Sequence, residues 1–277
     1  MQKNETELIE IELLLTALHE RYGYDFRTYA RASLERRVRG YLQRSGKVHI
    51  AELIPEVLWK RDVFEAVVRE FSITVTSMFR DPEAYRYLRE QVFPLLRTHP
   101  FIRIWHAGCA TGEEVYSLAI LLQEEGLYDR STIFATDFND EALRIAEKGI
   151  YELGKAKEFT ESYQKVGGKQ SFADYYEARY DFLAIDSGLK RRITFANHNL
   201  VTDGVFSEVH LVLCRNVLIY FNKELQSRVI GLFHDSLIRG GFLCLGDKES
   251  FLFSNMQEAF QELDCGQKIY QKKYRLD

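Results

Sequence analysis

The sequence predicts an α/β protein in which a helical N-terminal region precedes a parallel sheet, and three observations carry that prediction. No strand pattern appears before residue 100, where apolar residues recur every three or four positions. After Pro100, short apolar runs alternate with helical stretches, the signature of a parallel sheet covered on both faces. Residues 149–192 break that rhythm and are too long for a plain connection, so they read as an inserted subdomain with a small antiparallel sheet.

Each element has its own justification. Leu8, Ile11, Leu14, Leu15 and Leu18 form one stripe, and Gly23 ends it. A second helix carries Leu34, Val38, Tyr41 and Leu42 and stops near Gly46; a third is expected over 53–71, with Pro55 tolerated in its first turn. These helices make a domain over 1–72. Residues 73–100, holding Pro82, Pro94 and Pro100, are expected as a linker before a domain over 101–277. There, FIRIWHAG is a strand and EEVYSLAILLQEEG a helix; STIFATD is a strand and 140–148 a helix; ITFANHN, VHLVLCRN and GFLCLGD are strands, the last two separated by a helix over 223–238. QKIYQKKYRL alternates as an antiparallel edge strand would.

Composition narrows the function classes. The chain has 277 residues, 46% hydrophobic and 28% charged, with a net charge of −4, so no global positive field draws it to nucleic acid or an anionic membrane. Cys109, Cys214, Cys244 and Cys265 form no C-x-x-C pair, and the seven histidines show no metal-ligand spacing; free buried thiols and no metal are expected. No apolar run is long enough to span a bilayer, and MQKNETELIE is acidic where a signal peptide would be basic, so a cytoplasmic protein is expected, without membrane insertion.

The strongest local signal is HAGCATGEE at 106–114, which follows a strand and opens a helix. Its G-x-A-x-G spacing is not the dinucleotide pattern. Glu113 and Glu114 occupy the first helical turn, where they suit the helix dipole but repel a phosphate. A cationic ligand fits better, and S-adenosylmethionine carries a sulfonium and an ammonium. Asp137 ends the second strand, 24 residues beyond Glu113, where a carboxylate can accept from both ribose hydroxyls. The competing reading makes both glutamates ordinary helix-start carboxylates.

Four stretches in this order resemble the S-adenosylmethionine-dependent chemotaxis receptor methyltransferases of the CheR family: TVTSMFRDPEAY at 74–85, AGCATGEEVYSLAI, FATDFNDEAL, and LCRNVLIYF at 213–221. The resemblance implies a helical N-terminal domain plus a Rossmann-like class I methyltransferase sheet with an inserted β-subdomain at about 149–192. It also implies transfer of a methyl group to protein glutamate side chains, giving methyl esters and S-adenosylhomocysteine. By the same resemblance Thr76 and Arg80 contact the cofactor's methionine end, Glu113 its ammonium and Asp137 its ribose, and Thr74 also belongs to the cofactor-binding set. Asn199 and Leu200 border the adenine, and Asn216 and Val217 lie beside the transferred methyl. Arg80 and Tyr220 are the implied catalytic residues. This chain departs from the family with Thr74 for Asn, Met78 for Phe, and Gly246-Asp247-Lys248-Glu249-Ser250 where the family often reads G-H-S-E. The last change bears on the acceptor rather than on the methyl donor.

A glutamate acceptor is already ionised near pH 7, so no general base is required, and the sequence offers no Ser-His-Asp or Cys-His set. Cys214, His106 and His198 read as core or packing residues. Residues 27–47 hold Arg27, Arg31, Arg36, Arg37, Arg39, Arg44 and Lys47 against Glu35 alone. Either this is a solvated helix face, or Arg31, Arg36, Arg37, Arg39 and Arg44 dock the Glu-rich helices of a receptor. On a helical wheel Arg36 and Arg39 face solvent. Two alternatives stand beside this reading. One is a methyltransferase acting on a nucleic-acid base, disfavoured by the proline-free 216–220 loop and the acidic balance. The other is a non-catalytic S-adenosylmethionine-binding signalling module.

Overall fold

The computed structural model describes residues 2–71, 76–250, 256–264 and 266–274. The chain divides into two compact units, residues 1–73 with 219–226, and residues 74–218 with 227–277.

The smaller unit is helical: α1 (Gln2–Tyr22), α2 (Arg31–Ser45), α3 (Leu53–Trp59) and α4 (Arg61–Phe71). The expected stripe is its core, with Ile11, Leu14, Leu15 and Leu18 of α1 buried together with Leu34, Val38, Val57, Phe64 and Phe71. Gly46 caps α2 in the left-handed conformation. The single helix expected over 53–71 is two, because Lys60 is extended. Neither Gly nor Pro marks that break. Packing decides it, leaving Trp59 exposed and turning Phe64, Val67 and Phe71 inward.

The larger unit opens with α5 (Pro82–Tyr87), a π turn over Leu88–Val92 and α6 (Phe93–Leu96). Tyr85, Leu88, Val92, Phe93 and Leu96 from this stretch join the core under the sheet. Then follow β1 (Ile102–Ala107), α7 (Glu113–Glu124), β2 (Ser131–Asp137), α8 (Asp140–Lys148), β3 (Ile150–Glu152), α9 (Ala156–Lys165), β4 (Tyr176–Arg179), β5 (Phe182–Ile185), β6 (Ile193–Asn197), β7 (Val209–Cys214), α10 (Lys223–Ser236), β8 (Leu237–Leu245), β9 (Phe260–Asp264) and β10 (Ile269–Lys272). Seven strands form one sheet in the order β6-β2-β1-β7-β8-β10-β9, and β3-β5-β4 form a separate three-stranded sheet.

All pairings from β6 to β8 are parallel, and β10 runs antiparallel to both its neighbours. The predicted small antiparallel sheet of the insert is β3-β5-β4, joined there by α9. Two expectations are corrected. The helix before β8 ends at Ser236, and β8 starts at Leu237. The strand expected at the edge, β10, lies inside, because β9 covers it; Gln261 and Glu262 gave β9 no strand character in the sequence.

The fold places its ligand crevice. The chain moves outward from β1 to β2 and β6, then returns to β7 on the other side of β1. Ligands of open parallel sheets bind at such a reversal, beyond the carboxyl ends of the strands. Here that point lies between the ends of β1 and β7. α7 is buried along Glu113–Leu122, which explains its apolar sequence on every side. Among the described residues no helix is long and apolar enough to cross a membrane.

Candidate functional site

The loop 108–112 runs from β1 into α7 and is tied to the end of β2. Gly108 and Cys109 donate their N–H groups to the Thr136 carbonyl at 2.8 and 2.9 Å. Gly108 has φ +71°, and a Cβ there would stand 2.5 Å from Val217 Cγ2. Only glycine lets the loop after β1 and the loop after β7 approach so closely.

Asp137 is buried beside this loop. Ala110 N–H donates to its Oδ2 and Asn139 N–H to its Oδ1, both at 2.9 Å. The carboxylate therefore staples the loop while each oxygen keeps a lone pair for a ribose hydroxyl. Burial pushes its pKa above the ordinary range, against the lowering by these backbone donors.

The two glutamates at the start of α7 are not ordinary helix-start carboxylates, which would be exposed; both are buried. They part company in their partners. Glu114 accepts from Arg215 Nη1 at 2.7 Å, and the same guanidinium reaches Asp81 at 2.7 Å and the Arg80 carbonyl at 2.8 Å. Glu113 accepts from the Thr111 hydroxyl at 2.6 Å, and among the described residues no cationic nitrogen comes within 4.0 Å of it. Burial raises the pKa of both, and Arg215 works against this at Glu114. Lys155 acts on Glu113 only from a distance, so among the described residues Glu113 is a desolvated carboxylate without an ion pair, which suits a ligand ammonium.

The remaining expected residues fall as follows. Thr74 lies outside the described residues. Thr76 and Arg80 belong to the segment that leads into α5, and Phe79 N–H of that segment donates to Ser117 Oγ on α7 at 2.8 Å. Asn199 and Leu200 follow β6; Asn199 Oδ1 accepts from Val201 N–H, and Leu200 is buried. His198 N–H donates to the Asp137 carbonyl, which carries this segment to the end of β2. Asn216 and Val217 follow β7, and Asn216 has φ +60°. Tyr220 groups with the helical unit, where the Arg37 guanidinium lies 5.6 Å from its ring centre.

The thiols of Cys109, Cys214 and Cys244 are buried and free, and burial raises all three pKa values, Cys244 to about 12. They are inert core groups; Cys265 lies outside the described residues. His106 is buried with its Nε2 3.7 Å from Glu114 and neither ring nitrogen hydrogen-bonded among the described residues, and burial together with Arg215 lowers its pKa to about 3, so it is neutral.

The basic stretch of α2, which the sequence sets against Glu35 alone, is largely paired in the structure. Arg31 pairs with Glu12 and Glu35, Arg39 with Glu7 and Glu35, and Arg44 with Glu70. Arg37 is half-buried and donates to the Glu70 carbonyl at 2.8 Å. Arg36 is exposed and makes no ion pair among the described residues. Apart from Glu35, the neutralising acids come from α1 and α4, outside the sequence window that contained the arginines.

Sequence reasoning missed Arg215 and Glu249. Both sit in quoted stretches, but Glu114 for Arg215 and Asn216 and Leu218 for Glu249 lie too far away in the chain for spacing to reveal them.

A parallel sheet with this strand reversal, a glycine loop opening a helix, and acids after its first and second strands is a class I methyltransferase fold, built to hold S-adenosylmethionine. The family model described as CheR methyltransferase, SAM binding domain, matches residues 74–269, and the CheR all-alpha domain matches residues 9–72. The chain belongs to the CheR methyltransferase family. It is 48% identical over 264 residues to the "Putative methyltransferase Cher3" of Pseudomonas putida, covering 95% of this chain and 97% of that one. It is 28% identical over 232 residues to a chemotaxis protein methyltransferase of Listeria innocua, covering 83% and 86%. It is also 28% identical over 233 residues to chemotaxis protein methyltransferase 1 of Vibrio cholerae, covering 80% and 82%.

Proposed function

We propose that this chain transfers the methyl group of S-adenosylmethionine to glutamate side chains of a chemoreceptor or related signalling protein. The observation that carries the donor half is Glu113, a buried carboxylate at the crevice that makes no ion pair among the described residues. Glu113 would hold the ammonium, Asp137 the ribose, and Arg80 and Thr76 the methionine end. Asn199, Leu200, Asn216 and Val217 would border the rest. When bound, the cofactor supplies an electrophilic methyl on a sulfonium.

An acceptor carboxylate oxygen forms the new bond to that methyl carbon while the carbon–sulfur bond breaks. The products are a methyl ester and S-adenosylhomocysteine, and no proton moves. The protein's task is alignment and exclusion of water. This agrees with inert thiols and a neutral, buried His106. Relatives named chemotaxis protein methyltransferases support the acceptor half. Arg36 is the arginine of α2 best placed to meet an acidic receptor helix, since its neighbours are paired within the unit.

The test is incubation of the protein with methyl-labelled cofactor and a purified receptor cytoplasmic fragment. Alkali-labile label on glutamate supports the reading. Label that resists alkali, or no transfer, overturns it.

A further inference from the structure

The loop after β7 and the end of β8 meet on one buried side chain outside the residues assigned above. Glu249 is 2% exposed. Its Oε2 accepts from Gly246 N–H at 2.6 Å and Asn216 N–H at 2.9 Å, and its Oε1 accepts from Leu218 N–H at 2.6 Å. These N–H groups lie past the ends of β7 and β8, and buried donors need an acceptor. One carboxylate gathers them from two loops. Gly246 makes the approach possible, since a Cβ there would stand 2.8 Å from Asn216 N and 2.9 Å from Glu249 Oε2.

The arrangement does more than close a turn. It accompanies Asn216 in a left-handed conformation and leaves Asn216 Oδ1 buried with no hydrogen-bond partner among the described residues. It also seats Val217 against Gly108 of the cofactor loop. A buried polar atom without a partner is costly, and one held so by a dedicated clamp points to a ligand group that completes it.

We propose that Glu249 is a positioning residue, which by clamping the backbone of Gly246, Asn216 and Leu218 holds Asn216 and Val217 at the S-adenosylmethionine crevice. The proposal rests on the reading of Asn216 and Val217 as cofactor-lining, and it is independent of what the acceptor is. Glu249 itself touches no reacting atom.

Glu249→Gln is nearly isosteric but turns an NH2 group toward N–H donors, so the three bonds cannot all persist. Two readouts on the purified full chain test this: S-adenosylhomocysteine affinity by calorimetry, and hydrogen exchange of the Asn216 and Leu218 amides without ligand. The variant is expected to bind at least tenfold more weakly and to exchange those two amides at least tenfold faster. The Ile104 amide in β1 should be unchanged, which separates a local release from a general loss of structure. In receptor methylation, kcat should fall while KM for the receptor stays the same.

Gly246→Ala keeps the carboxylate but drives a methyl group at Asn216 N, and the same losses are expected. It decides the matter where Glu249→Gln yields no folded protein. A folded variant with affinity and exchange within twofold of wild type overturns the proposal. Absence of methyl transfer to receptors by the wild type would overturn the proposed acceptor instead, leaving the affinity ratio to judge the clamp.

Discussion

Replacing Arg215 by Met should destabilise the larger unit through one buried carboxylate. Arg215 is 1% exposed in its side chain and Glu114 6%, and they meet at 2.7 Å; Asp81, the other partner, is 38% exposed. Methionine fills the volume over the Tyr85 ring but removes the charge. Glu114 is then left desolvated and unpaired, while Asp81 turns to water at little cost. Breaking a buried pair in this way costs about 3–5 kcal/mol.

The penalty is pH-dependent, with a definite sign. Burial already raises the pKa of Glu114, and Arg215 is the strongest influence holding it down. Without Arg215 the folded pKa rises further, so the folded protein takes up a proton more readily than the unfolded chain. Stability is then retained at low pH and lost as pH rises through the raised value, at about 1.4 kcal/mol per unit. The assay is urea unfolding followed by Trp105 fluorescence in a Trp59→Phe background, since Trp59 is 87% exposed and Trp105 fully buried. The expected result is a loss of about 3–5 kcal/mol at pH 8, clearly smaller at pH 5. Adding Glu114→Gln should restore more than half of it at pH 8. A loss below about 1 kcal/mol, or an equal loss at both pH values, refutes the reasoning.

Three further outcomes are expected. Asp137→Asn should weaken S-adenosylhomocysteine binding about 10–100-fold and lower the melting temperature, because an amide cannot keep both the Ala110 and Asn139 donors and also serve a ribose; calorimetry and thermal unfolding check the two parts. Cofactor affinity should fall on acidification and begin to do so above the usual carboxylate range, because burial raises Glu113 and Asp137 and only their ionised forms attract an ammonium or accept from hydroxyls; calorimetric titrations between pH 5 and pH 8 that show no change would remove that assignment. Arg36→Glu should slow receptor methylation severalfold at low salt with cofactor affinity unchanged, whereas Arg39→Glu should also reduce thermal stability, having broken pairs to Glu7 and Glu35; initial rates against ionic strength distinguish them.

The donor side of the site was legible because its chemistry sits in short windows. HAGCATGEE needs only its strand-loop-helix context to suggest a ligand-approached backbone, and the strand STIFATD announces an acid, Asp137, at its end. Helix periodicity likewise exposed the Leu14–Leu18 stripe, and the change of rhythm after Gly149 exposed the inserted sheet. The break at Lys60 and the edge strand β9 carried no such local mark, because packing rather than propensity settled them.

By itself, then, the sequence determined the alternation of elements, the bare loop and the acids that suit a cationic guest, all properties of neighbouring residues. Tertiary structure alone decided which acids remain available. Arg215 arrives from 101 positions along the chain to neutralise Glu114, while Glu113 makes no ion pair among the described residues, and glutamates of α1 and α4 quench most of the arginines of α2. The reason is physical: a charge acts according to its distance and its exposure to water, and folding sets both.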